Sequence, residues 1–174
     1  RQVVVAIETT GTELSAGHRV VEIGCVELVD EKLTGRHYHV YINPVRSIDE
    51  SAIERHGITS EFLADKPQFV EIAEGFLDFL GADEIVTYNA EFVLPFLQHE
   101  VTLSGIDRKR DGLANDVVDV LLIGNERHPN QNNSLFNLCE RYYVDTSQTE
   151  FIGALFRAEI IADLLLALIN ERTK

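Results

Sequence analysis

Glu8 closes the apolar run Val3 to Ile7 and is followed by Thr9-Thr10-Gly11. Alone, such a carboxylate cannot hold a hard, strongly hydrated Mg²⁺ in a defined geometry. His37 and His39 alternate along an extended segment, so their side chains share one strand face in the manner of a metal clip. No third ligand lies nearby in sequence, and an exposed strand face is the expectation for them. The two cysteines, Cys25 and Cys139, sit inside apolar patterns without the close spacing of a zinc or redox motif, so buried, reduced thiols are expected. Phe92 and Phe96 could stack bases, but their helical spacing points to the core.

The elements that would position these residues follow from periodicity. Val3 to Ile7 has the pattern of a central strand covered on both faces. Arg19 to Val29 places Val21, Ile23, Cys25 and Val29 on one side, and Tyr38, Val40 and Ile42 alternate with the histidines. Thr34-Gly35 between these runs predicts a hairpin. A short helix is expected around Asp49 to Arg55, before His56-Gly57. Val70, Ala73, Phe76, Leu77 and Leu80 form a helical stripe that Gly81 caps. Ile85 to Thr87 reads as a strand, leading into a helix from about Glu91 to Leu103. Val117 to Val120 fits either a strand or a helix start. Ser134 caps a helix running through Tyr142, and Phe151 to Ile169 reads as a long final helix. Pro129 to Asn133, rich in asparagine, is expected to be a solvated connection. A β-meander followed by alternating helices and strands makes an α/β fold with a mixed sheet and helices packed on it.

The chain has 174 residues, 45% of them hydrophobic and 25% charged, and no repeat or linker divides it. A single domain spanning 1–174 is therefore expected. The net charge of −14 makes the whole molecule repel nucleic acid, so phosphate contacts must be local or metal-mediated. Neither a signal peptide nor a long apolar span is present, which points to the cytoplasm and away from a membrane. Methionine is absent, position 1 included, which raises the expectation of a trimmed chain.

The run from Val3 through Glu8 to Gly11, with Val21-Glu22-Ile23-Gly24, closely resembles the exonuclease (epsilon) subunits of bacterial DNA polymerase III, of the DEDD-type 3′–5′ exonucleases. The resemblance continues through His56-Gly57-Ile58, Phe62 to Pro67, Tyr88-Asn89-Ala90, Asn133-Ser134-Leu135 and Gly153-Ala154-Leu155. It implies a ribonuclease-H-like exonuclease fold, with a five-stranded mixed sheet flanked by helices. It also implies a site in which acidic side chains converge on two Mg²⁺ or Mn²⁺ ions about 3.5–4 Å apart. A histidine there acts as general base towards the attacking water.

Where the family carries those groups, this chain departs from it. Ala6, Val93 and Arg157 stand at ligand positions that are normally aspartate, and Ile152 stands at the general-base histidine. Ser51 matches a glutamate that approaches the terminal nucleotide, while Glu8 and His56 are retained. Arg157 would oppose a unit positive charge about 4 Å away by roughly 4 kcal/mol at an effective dielectric of 20. Glu91 lies two residues before a lost ligand position. Glu159 lies two after Arg157, turned by about 200° on a helix. Asp119 is the best-placed replacement ligand. His56 reads as a structural or nucleotide-contacting histidine, because no metal-bound water is positioned for it as a base. Arg157 is expected to pair with Glu8 and fill the old metal pocket.

The resemblance thus implies a proofreading exonuclease domain that is catalytically silent as written, with no cofactor, serving as a scaffold or partner-binding module. A residually active metal-dependent 3′–5′ exonuclease is the alternative, and a module that grips a 3′ end without cutting is a second. Its implied partners are other DNA polymerase III subunits, with single-stranded DNA 3′ ends bound weakly at most.

Overall fold

The structure, a computed structural model, describes residues 1–106, 113–147 and 153–171. Val3, Val4, Val5, Ala6 and Ile7 are all buried, which places β1 (Gln2–Thr9) at the centre of the sheet. On one side β1 pairs antiparallel with β2 (Val20–Val29), which pairs antiparallel with β3 (Lys32–Tyr41). On the other it runs parallel to β4 (Glu84–Thr87), and β4 runs parallel to β5 (Val117–Asp119). The five-stranded order is β3-β2-β1-β4-β5, the mixed sheet that the strand pattern predicts.

Alternation along β1 sends its side chains to two cores. Val3, Val5 and Ile7 pack with Phe69, Ala73 and Phe76 of α3 (Phe69–Leu80) and with Phe96 and Leu97 of α4 (Ala90–Ser104). Val4 and Ala6 pack with Leu135 and Leu138 of α6 (Leu135–Arg141) and with Ala158, Ile161 and Leu165 of α7 (Ala154–Glu171). By the same alternation Glu8 belongs to the face that α7 covers. Val21, Ile48, Ala52, Ile58 and Leu63 form a third cluster, which seats α1 (Glu50–His56) and α2 (Ser60–Leu63) beside the sheet. Cys25 and Cys139 are both buried free thiols, as expected. Burial pushes the Cys139 thiol up to about 12, so it is inert at neutral pH.

Three expectations are corrected. The hairpin between β2 and β3 turns at Asp30 and Glu31, both at positive φ (49° and 59°), and not at Thr34-Gly35. Two left-handed residues match the twist of the strands. Thr34-Gly35 instead lies inside β3, where the pairing slips between Val26 and Leu28, and Thr34 Oγ1 donates to buried Glu27 at 2.8 Å. The final helix begins at Ala154, after Gly153; Phe151 and Ile152 lie outside the described residues. Asn133 in the polar loop is buried, not solvated. Its amide donates to Asn125 Oδ1 at 3.0 Å and to the His128 carbonyl at 2.9 Å, and Arg141 donates to its Oδ1 at 2.9 Å. Val117 to Val120 resolves as both alternatives, β5 passing directly into α5 (Val120–Arg127).

Candidate active site

Beyond the carboxyl ends of the parallel strands β1 and β4 lies a cavity of about 230 Å³, the place where open α/β sheets bind ligands. Ala6, Ile7, Glu8 and Thr9 of β1 and Thr12 beyond it line it, with Thr87 at the end of β4, Tyr88 and Asn89 after β4, Phe92 and Val93 of α4, Arg55 of α1, and Arg157 and Ile161 of α7. The fold therefore brings together four of the sequence-predicted site residues: Ala6, Glu8, Val93 and Arg157. Ser51 is exposed on α1 and is not part of the wall. Ile152, the position of the expected general base, lies outside the described residues.

Gly24 lets α7 reach this site. It faces Ala6 across the β1–β2 pair, and a Cβ added there would stand 2.2 Å from the Leu155 backbone nitrogen and 2.3 Å from the Ala154 carbonyl carbon. Only a residue without a side chain allows the first turn of α7 to lie this close to the sheet. Arg157, in that turn, then points Nη2 at Glu8 Oε1, 3.3 Å away. The expected pair is present, but its hydrogen bonding is incomplete: Glu8 Oε1 and Arg157 Nε are both buried without a hydrogen-bond partner. Burial pushes the Glu8 carboxyl above its ordinary value, Arg157 and Arg55 pull it down, and buried Glu22 pushes it up again; the net direction is up.

Behind Glu8 on β2 stands Glu22, its direct cross-strand neighbour and 1% exposed. His39 Nε2 lies 2.7 Å from Glu22 Oε1. His39 is thus anchored to a buried carboxylate from the exposed strand face, and His37, exposed on the same face, has its Nδ1 3.3 Å from the Gly35 carbonyl. Glu22 stood inside a recognisable motif, but nothing in the sequence marks it as a buried partner for a histidine on the neighbouring strand.

His56 has both ring nitrogens engaged. Nδ1 accepts from the Ile58 backbone N–H at 3.0 Å, which leaves Nε2 to donate to the Thr9 carbonyl at 3.0 Å. Burial holds its pKa below the ordinary histidine value, with Arg55 adding to the effect. The ring is a neutral brace between α1 and the end of β1. Asp119, the foremost candidate for a replacement ligand, is also committed. Its Oδ1 accepts from Asn89 N and Leu121 N, both at 2.9 Å, and its Oδ2 from Ala90 N at 2.8 Å. It clamps the left-handed Asn89 (φ 65°) that opens α4. Glu91 and Glu159 are exposed and outside the wall. Phe96 is core, whereas Phe92, 4.9 Å from it between ring centroids, lines the cavity. Among the described residues no group of three or more His, Cys, Asp or Glu is arranged to hold a metal ion.

Arg55 is the charged wall residue that sequence reasoning passed over. Its only signal was adjacency to His56, and its role depends on how α1 packs. The charged wall residues are Glu8, Arg55 and Arg157.

A family model described as Exonuclease matches residues 3–150. DNA polymerase III subunit epsilon of Escherichia coli K12 is 40% identical over 177 residues, covering 99% of this chain and 73% of that protein. The subunit of the same name from Rickettsia prowazekii is 39% identical over 172 residues, with 99% and 75% covered. Among solved structures, the nuclease domain of 3′hExo, a DEDDh family member bound to rAMP, superimposes with a TM-score of 0.80 at 18% identity, covering 98% of this chain and 92% of that one. Exonuclease X in complex with 5′ overhanging duplex DNA gives 0.73 at 20% identity, covering 100% and 94%. Both structures share the fold of this chain.

Proposed function

The chain belongs to the exonuclease family, alongside the epsilon subunits of DNA polymerase III, and from that premise we propose that it is an epsilon-like 3′–5′ exonuclease domain whose catalysis is silent. The charge set of the cavity wall carries this reading. The family's reaction uses divalent metal ions, which stabilise the attacking and leaving oxygens of an in-line displacement. Two dications close together need several converging carboxylates. The wall offers Glu8 alone, opposed by Arg55 and Arg157. Asp119 is engaged by three backbone donors, and the residues present therefore do not fit the metal pair.

What remains is a stable scaffold, a single domain over 1–174 that meets other polymerase III subunits through surfaces away from the cavity. Its relatives are named as subunits of that polymerase. Single-stranded DNA ends would be bound weakly, since the net charge of −14 opposes a phosphate backbone. Incubating the chain with a 3′-labelled single-stranded oligonucleotide and Mn²⁺ tests the reading, beside a variant carrying Ala6→Asp, Val93→Asp, Arg157→Asp and Ile152→His. The expected result is trimming by the restored variant only. Metal-dependent release of mononucleotides by the unaltered chain would overturn it.

A further inference from the structure

His18 is buried in the loop between β1 and β2, outside the cavity wall. Its ring lies against Gly11, where an added Cβ would overlap it, and it bridges two segments far apart in the chain. Nδ1 is 2.8 Å from Thr10 Oγ1, a hydroxyl that also accepts from the Arg19 backbone N–H at 3.0 Å. Nε2 is 3.3 Å from Asp49 Oδ2. Asp49 stands just before the first turn of α1, where an aspartate side chain ordinarily caps its own helix by accepting one of the first N–H groups. Here it makes no such bond. Its backbone is in place for the helix, because the Asp49 carbonyl accepts from Ala52 N at 3.0 Å and from Ile53 N at 3.1 Å, while Asp49 N donates to the Thr10 carbonyl at 2.9 Å. The side chain alone turns from the helix to the histidine.

We propose that His18 and Asp49 form a proton-controlled latch on α1, which seats the helix against the end of β1 more firmly when the His18 ring is charged. Histidine is the side chain that changes charge between pH 5 and 8. A neutral imidazole carries one N–H, whereas the imidazolium donates from both nitrogens, here to Thr10 Oγ1 and to Asp49, and the second contact becomes an ion pair. Among the described residues Asp49 alone stands within ion-pair reach of the ring. The nearby cations are committed elsewhere: Arg19 donates twice to Glu100, at 2.7 Å each, and Arg46 to the Ala16 and Ser47 carbonyls. Glu13, before the loop's short turn, and Glu50, on α1, are exposed and make no ion pair with the ring. What the latch holds is consequential, because α1 carries Arg55 into the cavity wall and His56 onto the Thr9 carbonyl. His56 acts in the opposite sense. Burial holds its pKa below the ordinary histidine value, so its charging, which would loosen the same helix, lies further down in pH.

Amide hydrogen exchange on the full chain tests the latch, read by NMR at Ile53 and Gly57, whose N–H groups bond to the Asp49 and Ile53 carbonyls. Protection factors, which remove the intrinsic pH dependence of exchange, are compared at pH 6 and pH 8. Protection roughly 2- to 5-fold higher at pH 6 is expected, the range of a partly exposed ion pair. Asp49→Asn should abolish the difference. The Asp49 side chain is about half exposed, and asparagine caps helices as well as aspartate does, so this variant keeps the fold. It also leaves His56 in place, so any share of the pH dependence that comes from His56 survives in it. His18→Gln, which removes the titrating ring, should be equally flat between the two pH values. Equal protection at both pH values in the unaltered chain overturns the proposal, as does a difference that persists in Asp49→Asn or in His18→Gln.

Discussion

Glu8 and Arg157 show how one side chain changes the meaning of its neighbour. The buried Glu8 carboxylate is answered by one guanidinium, and burial outweighs that attraction in setting its pKa. The sign follows by linkage. A folded pKa raised above the ordinary 4.5 gives stability that is complete below that pH and is lost as the pH rises through the folded value. Glu8→Gln should therefore stabilise the protein at pH 7 by about 0.5–2 kcal/mol, with the gain closing as the pH approaches 4.5. Urea unfolding across that pH range measures it. His56 runs the other way. Its pKa is held below the ordinary 6.5, so its contribution is complete above that pH and is lost as the pH falls through the folded value. His56→Ala should cost about 2–5 kcal/mol at pH 7, since the Thr9 carbonyl and Ile58 N–H each lose a partner, and should flatten the decline in stability below pH 6.5.

At the scale of elements, the site depends on how closely helices approach the sheet. Gly24 sets the distance between β2 and the first turn of α7, where backbone atoms stand in the place a methyl group would take. Gly24→Ala should cost about 3 kcal/mol or more and lower the melting temperature, because backbone on both sides has to move. Asp119 fixes the entry to α4. Asp119→Ala removes the acceptor of three backbone N–H groups and should destabilise by at least about 2 kcal/mol. The same variant should leave calorimetric Mn²⁺ binding unchanged, whereas a ligand role would make binding fall with it. Helix stripes were legible because each spans several turns of repeating apolar positions, as Ala73, Phe76 and Leu80 do, although Phe69 takes the buried place expected of Val70, which is exposed. The β2–β3 turn was not, because Asp30-Glu31 lacks the Asn-Gly signature that left-handed turn residues ordinarily show.

For the molecule as a whole, the sheet and its two helical layers are those of the exonuclease family, and among the described residues no helix is long and apolar enough to cross a membrane. The fold rests on residues away from the cavity. Val3, Val5, Ile23, Phe69, Phe76 and Leu97 fill one core, and Val4, Leu138, Ile161 and Leu165 the other, all of them fully or almost fully buried. Ala6 and Val93 at the rim add apolar surface to those cores, where carboxylates would repel one another. The variant that restores four polar groups at once should accordingly unfold at lower temperature than the unaltered chain in EDTA. Mn²⁺ should recover part of the difference, because binding to the folded state alone stabilises it. Differential scanning calorimetry with and without metal checks both halves.

The sequence alone determined most of the strands and helices and placed the carboxylate of Glu8 at the end of the first strand, followed by its Thr-Thr-Gly turn. Those features are local: each is carried by periodicity or by residue type at a fixed place in a motif. Tertiary structure alone decided that the Arg157–Glu8 pair is left short of hydrogen bonds, that Arg55 joins the same wall, that Glu22 lies buried against His39, and that Asp119 is consumed by backbone donors. Each depends on the packing of segments far apart in the chain, and above all on the contact between α7 and Gly24. The charge of a cavity is a sum over residues that only the fold brings together.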